Sequence, residues 1–354
     1  MNKKIQIFFR IFIAVPFLVF SQTSQTNEPV ITSTKTVLVV GGAGFIGSHV
    51  NKLLYQNGYE TIVFDNLSRG NKDAVKYGKF IEGDLGDIQA LKQVFENNNI
   101  DVVMHFAAFT DVGDSCLNPG AYYINNVANS VNLLQVMAQH SVKIFIFSST
   151  AAIFGPPEEI PITENHPYHP ISPYGRSKLM VEQILADFDI AHGIKYCSFR
   201  YFNAAGGDPD NILKNYKSKE NNLIPLALRS LQEPQKCITI FGTDYSTPDG
   251  TGIRDYIHVY DLASAHILAM EKLLGGSTSS SYNLGNGKGY SVLEVIKAIE
   301  KITGQQINLI YGERRQGDVP YILASSEKAK NELGWEPQYS SLETMIEHAW
   351  KALN

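Results

Sequence analysis

Tyr174 and Lys178, four residues apart in S-P-Y-G-R-S-K-L-M-V-E-Q, are the pair whose types and spacing most directly suggest chemistry. Ser172 can cap a helix at this point and Pro173 suits its first position, so the two side chains share one face, a turn apart. A phenol titrates near 10, roughly three units too high for a base at neutral pH, a deficit of about 4 kcal/mol. An ammonium one turn away stabilises the phenolate and offsets part of that deficit. Alone, such a pair is commonly just a surface contact. Its neighbour in function would be Thr150, because the apolar run K-I-F-I-F (143–147) ends in S-S-T and places hydroxyls at the end of a strand suited to the interior.

A second constellation suits phosphate. V-V-G-G-A-G-F-I-G-S-H-V spaces Gly41, Gly44 and Gly47 as G-x-x-G-x-x-G. The first permits a tight turn, the second brings backbone close to a pyrophosphate, and the third lets helix pack on strand. The phosphates would then meet the free N–H groups and positive end of the following helix. Asp65 ends the next strand, where a carboxylate accepts both ribose hydroxyls and repels a 2′-phosphate, favouring NAD over NADP; Arg69 close by would tolerate that phosphate. Asp84, in E-G-D-L, ends a third strand and could hold the adenine. Each Asp alone is more often a strand-end cap, but three strand ends in register with a glycine turn make a dinucleotide site the better account.

These residues need a scaffold of alternating strands and helices. T-V-L-V-V (36–40), T-I-V-F (61–64), K-F-I (79–81), D-V-V-M-H-F (101–106) and K-I-F-I-F read as strands buried on both faces. Helix-length segments at 45–57, 87–98 and 118–140 lie between them. The fold class is therefore α/β, a doubly wound parallel sheet of the Rossmann type over 36–203. Residues 204–354 are expected to form mainly a smaller substrate-binding lobe, with some elements returning to the first sheet and a closing helix from about Ser341.

The 354 residues carry a net charge of −5, with pI near 6.0 and no run of Lys and Arg beyond the start, which gives no reason to bind nucleic acid. Cys116, Cys197 and Cys237 lack the close spacing of zinc ligands or redox pairs, so no metal site is expected and a reduced compartment suits them. Residues 1–35 differ from the rest: Lys3 and Lys4, an apolar stretch interrupted by Arg10, and then Ser21 and a polar tract resemble a secretory signal. Any membrane contact is expected only through residues 5–20, a stretch short for a transmembrane helix. A soluble dinucleotide points instead to the cytoplasm, which is the expected location.

Y-x-x-x-K after a strand-end hydroxyl, together with G-x-x-G-x-x-G, resembles the short-chain dehydrogenase/reductase superfamily in its extended, sugar-nucleotide branch. The resemblance narrows to the UDP-glucose 4-epimerases through H-F-A-A (105–108), Y-Y-I-N-N-V (122–127), R-Y-F-N (200–203), N-N-L-I-P (221–225), F-G-T-D-Y (241–245), D-G-T-G-I-R-D-Y-I-H-V (249–259) and R-R-Q-G-D (314–318), and covers 36–354. It implies NAD-dependent interconversion of UDP-galactose and UDP-glucose through a 4-keto intermediate, in galactose and nucleotide-sugar metabolism. By position it makes Thr150 the contact to the sugar 4-hydroxyl, Tyr174 the base, and Lys178 the residue that lowers its pKa and holds the nicotinamide ribose. Gly41, Gly44, Phe45, Ile46, Gly47, Asp65, Asn66, Asp84 and Leu85 fall on cofactor positions, as do Phe106, Ala107, Ala108 and Asn125. Asn203, Asn222, Leu223, Arg254, Arg315 and Asp318 fall where the family grips uridine diphosphate, which suits two Arg that can pair with phosphate oxygens. A homodimer through the helices after the fourth and fifth strands is implied too.

The chain departs from the family pattern at a few positions. Thr110 stands where some members have a Lys near the pyrophosphate, and Val40 replaces a common Thr. Ile322 holds the position whose size limits room for an N-acetyl group in the family, being smaller than the Tyr that excludes it and larger than the Cys that admits it. UDP-N-acetylhexosamines and UDP-pentoses are thus alternative substrates. A 4,6-dehydratase would need an Asp-Glu couple after Thr150, where this chain has Ala151 and Ala152. A non-enzymatic dinucleotide sensor would have no use for Thr150, Tyr174 and Lys178 together.

Overall fold

Strands made of consecutive apolar residues can satisfy both faces only if helices cover both, and that requirement organises the first two thirds of the chain. The structure is a computed structural model and describes residues 34–214, 222–233, 235–315 and 318–354. The signal-like segment with its apolar stretch 5–20 lies outside the described residues. In chain order β1 (Thr36–Val40), α1 (Phe45–Gln56), β2 (Glu60–Asp65), β3 (Lys79–Glu82), α2 (Ile88–Glu96) and β4 (Val102–His105) come first. Then follow α3 (Val112–Leu117), α4 (Pro119–Tyr122), α5 (Asn129–Gln139), β5 (Ile144–Thr150), α6 (Pro173–His192), β6 (Lys195–Tyr201) and β7 (Asn203–Ala205). The remainder comprises α7 (Leu223–Ser230), β8 (Ile238–Phe241), β9 (Ile253–His258), α8 (Val259–Leu274), β10 (Ser280–Leu284) and β11 (Gly289–Ser291). It closes with α9 (Val292–Thr303), β12 (Leu309–Gly312), β13 (Tyr321–Ile322), α10 (Glu327–Leu333) and α11 (Leu342–Leu353).

Among the described residues seven strands form a wholly parallel sheet in the order β10-β6-β5-β4-β1-β2-β3. Alternate residues serve its two faces. Val37, Val39, Val63 and Met104 pack with Val50 and Leu54 of α1 and with α8, whereas Leu38, Val40, Phe64 and Phe147 pack with α2, α5 and α6. This is the doubly wound arrangement, and it brings the carboxyl ends of β1, β2, β4 and β5 to one edge. β10, from the last third of the chain, pairs with β6 from Ser280↔Cys197 to Leu284↔Tyr201.

A smaller sheet is built around β9, which pairs with β7, β11 and β13, while β8 and β12 form a two-stranded ribbon. A third core, with Ile224, Leu228, Ile240, Ile296 and Met345 among its members, lies under α7, α9 and α11. α11 starts where Ser341 caps it through a bond from the Thr344 N–H.

The sequence suggests one helix over 118–140, but the path is α4, a π turn at Tyr123–Ala128, and then α5. The wider turn projects Asn126 at the loop after β4: its Oδ1 accepts the Phe109 N–H (2.8 Å), and its Nδ2 donates to the Phe109 carbonyl (3.0 Å) and Ser177 Oγ (3.1 Å). Such π insertions are frequent at functional sites. Among the described residues no helix is long and apolar enough to cross a membrane.

Candidate active site

The turn from β1 into α1 is shaped by its glycines. Gly41 has φ +78°, and a Cβ there would lie 2.4 Å from the Ala107 nitrogen, so a side chain would push the β4 loop away. A Cβ on Gly47 would fall 2.4 Å from the Gly41 carbonyl oxygen. The first turn of α1 has Gly44 at its cap and no side-chain cap bond, so the positive end of the helix meets the glycine turn where an anion would sit. Asp65 at the end of β2 accepts the Ala43 N–H (3.0 Å) and the Leu67 N–H (2.8 Å), one on each oxygen. A carboxylate has about four acceptor positions, which leaves room for ribose hydroxyls. Burial pushes its pKa up, and the two backbone bonds act against that.

Asp84 is more committed. Its Oδ1 takes the Gly86 N–H (2.7 Å) and its Oδ2 the Asn66 amide (2.5 Å), so the pair ties the ends of β2 and β3 together. Leu85 is buried in the core that α2 covers. Phe106 packs its ring 5.0 Å from that of His266, and Ala107 and Ala108 follow it past the end of β4. Asn125 lies in the π turn and donates to Asn126 Oδ1 (2.9 Å). The Arg69 guanidinium sits over the Phe109 ring at 5.2 Å from its centre. Glycine turn, helix N-terminus and open carboxylate positions together fit a dinucleotide.

β5 delivers three consecutive hydroxyl residues, each to a different partner. Thr150 Oγ1 accepts the Ala152 N–H (3.1 Å), capping the short 3₁₀ turn Ala151–Ile153, and Tyr174 hydrogen-bonds to Thr150. Tyr174 is 8% exposed; burial raises its pKa above the ordinary phenol value and the Thr150 bond lowers it. Lys178 is 2% exposed and donates to the Ser148 carbonyl (2.7 Å), with its Nζ 4.8 Å from the centre of the Phe147 ring. Burial brings Lys178 down to about 7, and the charge of Glu182 works in the opposite direction. The two residues after Thr150, Ala151 and Ala152, are alanines in the 3₁₀ turn.

Several partners of these residues were not singled out in the sequence. Ser148 and Ser149 look there like donors to local backbone. Instead Tyr201 donates to Ser148 Oγ, and Ser149 donates to Glu182 Oε1 (2.5 Å). Glu182 is also clasped by Arg200, Nε to Oε1 at 3.1 Å and Nη2 to Oε2 at 2.6 Å. The signal was present as a continued spacing, Tyr174, Lys178 and then Glu182 at four-residue steps on α6, with R-Y at 200–201 on the adjoining strand.

Of the phosphate-binding candidates, Asn203, Arg254 and Asp318 meet at β9, whereas Arg315 lies against Phe241 of β8 and Asn222 and Leu223 open α7. Asn203, at the start of β7, donates to the Asp255 carbonyl (2.9 Å). Arg254 pairs with Asp318 (2.6 Å) and also donates to the carbonyls of Ile253 and Val319. Arg315 lies over the Phe241 ring at 4.0 Å. Asn222 caps α7 by position without a side-chain bond, and Leu223 opens that helix. Ile322 pairs in register with Arg254 through β13 and packs in the small cluster that holds Ala151, Ile153 and Phe154 beside Thr150. Substrate-lobe and catalytic-strand residues thus meet at one place. Among the described residues no group of three or more His, Cys, Asp or Glu is placed to hold a metal ion, and the three cysteines are unpaired.

Comparison with known proteins adds to this geometry. The family model described as "NAD dependent epimerase/dehydratase family" matches residues 37–285. The UDP-glucose 4-epimerase of Halalkalibacterium halodurans is 48% identical over 314 residues, covering 89% of this chain and 94% of the relative. The crystal structure of UDP-glucose 4-epimerase from Brucella ovis in complex with NAD superposes with a TM-score of 0.88 at 44% identity, covering 90% of this chain and 98% of that one. The enzyme from Bifidobacterium longum, solved with NAD+ and UDP, gives 0.84 at 40% identity, with 90% and 98% covered.

Proposed function

The chain belongs to the NAD dependent epimerase/dehydratase family, and we infer that it interconverts UDP-galactose and UDP-glucose by oxidising and re-reducing C4 of the sugar. The observation that carries this reading is the convergence of Thr150, Tyr174 and Lys178 at the end of β5, with two alanines where an elimination would need an acid and a base. NAD, when bound, supplies the acceptor and then the donor of hydride. Gly41, Gly44 and Gly47 with Phe45 and Ile46 hold its pyrophosphate, and Asp65 its adenosine ribose. Asn66, Asp84 and Leu85 flank the adenine, while Phe106, Ala107, Ala108 and Asn125 line the strand ends between.

Thr150 orients the 4-hydroxyl, and Tyr174 as phenolate removes its proton while Lys178 holds the phenolate down in energy. Arg254, Arg315, Asn203, Asn222 and Asp318 grip the diphosphate and uridine, with Leu223 packed alongside. The grip on the nucleotide leaves the 4-ketose free to turn, and Tyr174 returns its proton to O4 once C4 has been reduced on its other face. The cofactor ends unchanged.

The test is to give purified protein UDP-galactose without added oxidant and assay UDP-glucose; absence of interconversion, or a 4-keto-6-deoxy product, overturns the reading. NAD should co-purify, and extraction of NADP would overturn the role of Asp65. Ile322 beside the Thr150 turn favours a second reading, acceptance of UDP-N-acetylgalactosamine, which the same assay decides. The cytoplasm is where both ligands are met. Exposed Val112 and Leu117 on α3, Ile124 in the π turn and Met180 and Ile190 on α6 support a homodimer through that face, with Leu117 81% and Ile190 87% exposed.

A further inference from the structure

Behind the catalytic residues lies an ion pair that touches no substrate. Glu182 follows Lys178 by one turn of α6, and its carboxylate is fixed from two strands, by Ser149 of β5 and by the Nε–Nη2 edge of Arg200 of β6. Arg200 also donates to the Glu164 carbonyl (3.3 Å) and the Tyr168 hydroxyl (2.8 Å). The pairing of β5 with β6 sets Ser149 opposite Arg200 and Thr150 opposite Tyr201, so one register positions both partners of the Glu182 carboxylate.

We propose that Glu182 and Arg200 form a positioning pair for Lys178, in which the carboxylate keeps the buried ammonium charged and Arg200 with Ser149 holds that carboxylate one turn away from it. The proposal rests on Tyr174 and Lys178 acting as described above. Stability alone is a weak reason for such a pair, since apolar residues of equal volume often serve as well or better. Function gives a stronger one: a neutral Lys178 cannot stabilise a phenolate, and its burial favours the neutral form, bringing it to about 7. A carboxylate free to swing onto Nζ would instead compete with Tyr174 and the ribose for the charge. Around the ammonium the titratable groups are Tyr174 and Glu182 of α6, His105 of β4, and Arg200 and Tyr201 of β6. On the α3 side Asp111 caps its own helix and Asp114 receives Tyr122.

The experiment follows Lys178 in the NAD-containing protein by NMR titration of its side chain and by the pH profile of kcat, in wild type, Glu182→Gln, Glu182→Asp and Glu182→Gln/Arg200→Gln. Glu182→Gln should lower the Lys178 titration, and with it the alkaline limb of kcat, by on the order of one pH unit, with KM for UDP-galactose unchanged. Glu182→Asp should restore most of the shift, and the double variant, which no longer buries a lone Arg, should fall between Glu182→Gln and wild type. A folded Glu182→Gln with a wild-type titration overturns the proposal, as does an Asp variant shifted as far as the Gln variant. Should Glu182→Gln fail to fold, the charge-neutral double variant decides: a wild-type titration there overturns the proposal. A wild type that leaves UDP-galactose unchanged overturns the functional reading instead, and the NMR titration still reports on the pair.

Discussion

At the scale of single residues, the proposed base Tyr174 would lose its proton in a place that resists charge, and the bond with Thr150 opposes that resistance. Tyr174→Phe should therefore reduce kcat by about 10²- to 10⁴-fold, with NAD still co-purifying and the thermal midpoint unchanged; undiminished turnover would remove Tyr174 from the base role. Arg254→Met should act differently, raising KM for UDP-galactose by roughly 10- to 100-fold if its bonds to phosphate carry about 1.5–3 kcal/mol; steady-state kinetics separates the two effects. Tyr174, Lys178 and the glycine turn were legible in the sequence because each belongs to a short local pattern. Glu182, Arg200 and the true partners of Ser148 and Ser149 were not, because they meet through strand pairing between β5 and β6, which no local spacing reveals.

At the scale of elements, the β1–α1 turn and the α1 flank make separate demands. Gly47→Ala would bring a methyl group to 2.4 Å from the Gly41 carbonyl oxygen, so the turn must open. The expected outcome is a folded protein that no longer retains NAD, checked by extracting nucleotide from the purified variant. On the same helix Lys52 is fully buried and bridges Asp208 (2.5 Å) and Asp210 (2.6 Å) in the segment after β7. Removing one partner of a buried pair leaves a stranded charge, so Lys52→Met should cost about 3–5 kcal/mol in a denaturant melt. The first four strands were readable from apolar runs to within a residue and β5 to within three, the later strands were not read, and the cap of α6 was legible in Ser172 and Pro173. The π turn was not, because an added residue in a helical turn leaves the apolar spacing nearly unchanged.

For the whole molecule, acid should act through buried imidazoles. Burial holds His49 and His266 down to about 4 and His105 and His258 to about 3, against an ordinary 6.5. The unfolded chain therefore takes up protons first, and stability should fall as pH drops from 6.5 toward 4. Asp255 and Asp261, raised to about 6 by burial, act the opposite way because the folded state protonates before the unfolded one. Burial also lowers His348 and raises Asp65, so five imidazoles against three carboxyls leave a net loss and the thermal midpoint should decline across that window; a flat profile would refute the assignment. Thermal unfolding followed across pH makes the check.

The place of β10 has a consequence during synthesis. The strand that covers the open side of β6 leaves the ribosome some 80 residues after it, so a nascent chain ending near Phe202 exposes Lys195–Tyr201 as a bare strand edge, ready to pair with another chain. Translation must run past Leu284 before Arg200, which clasps Glu182 of α6, and Tyr201, which holds Ser148 of β5, lie inside a covered sheet.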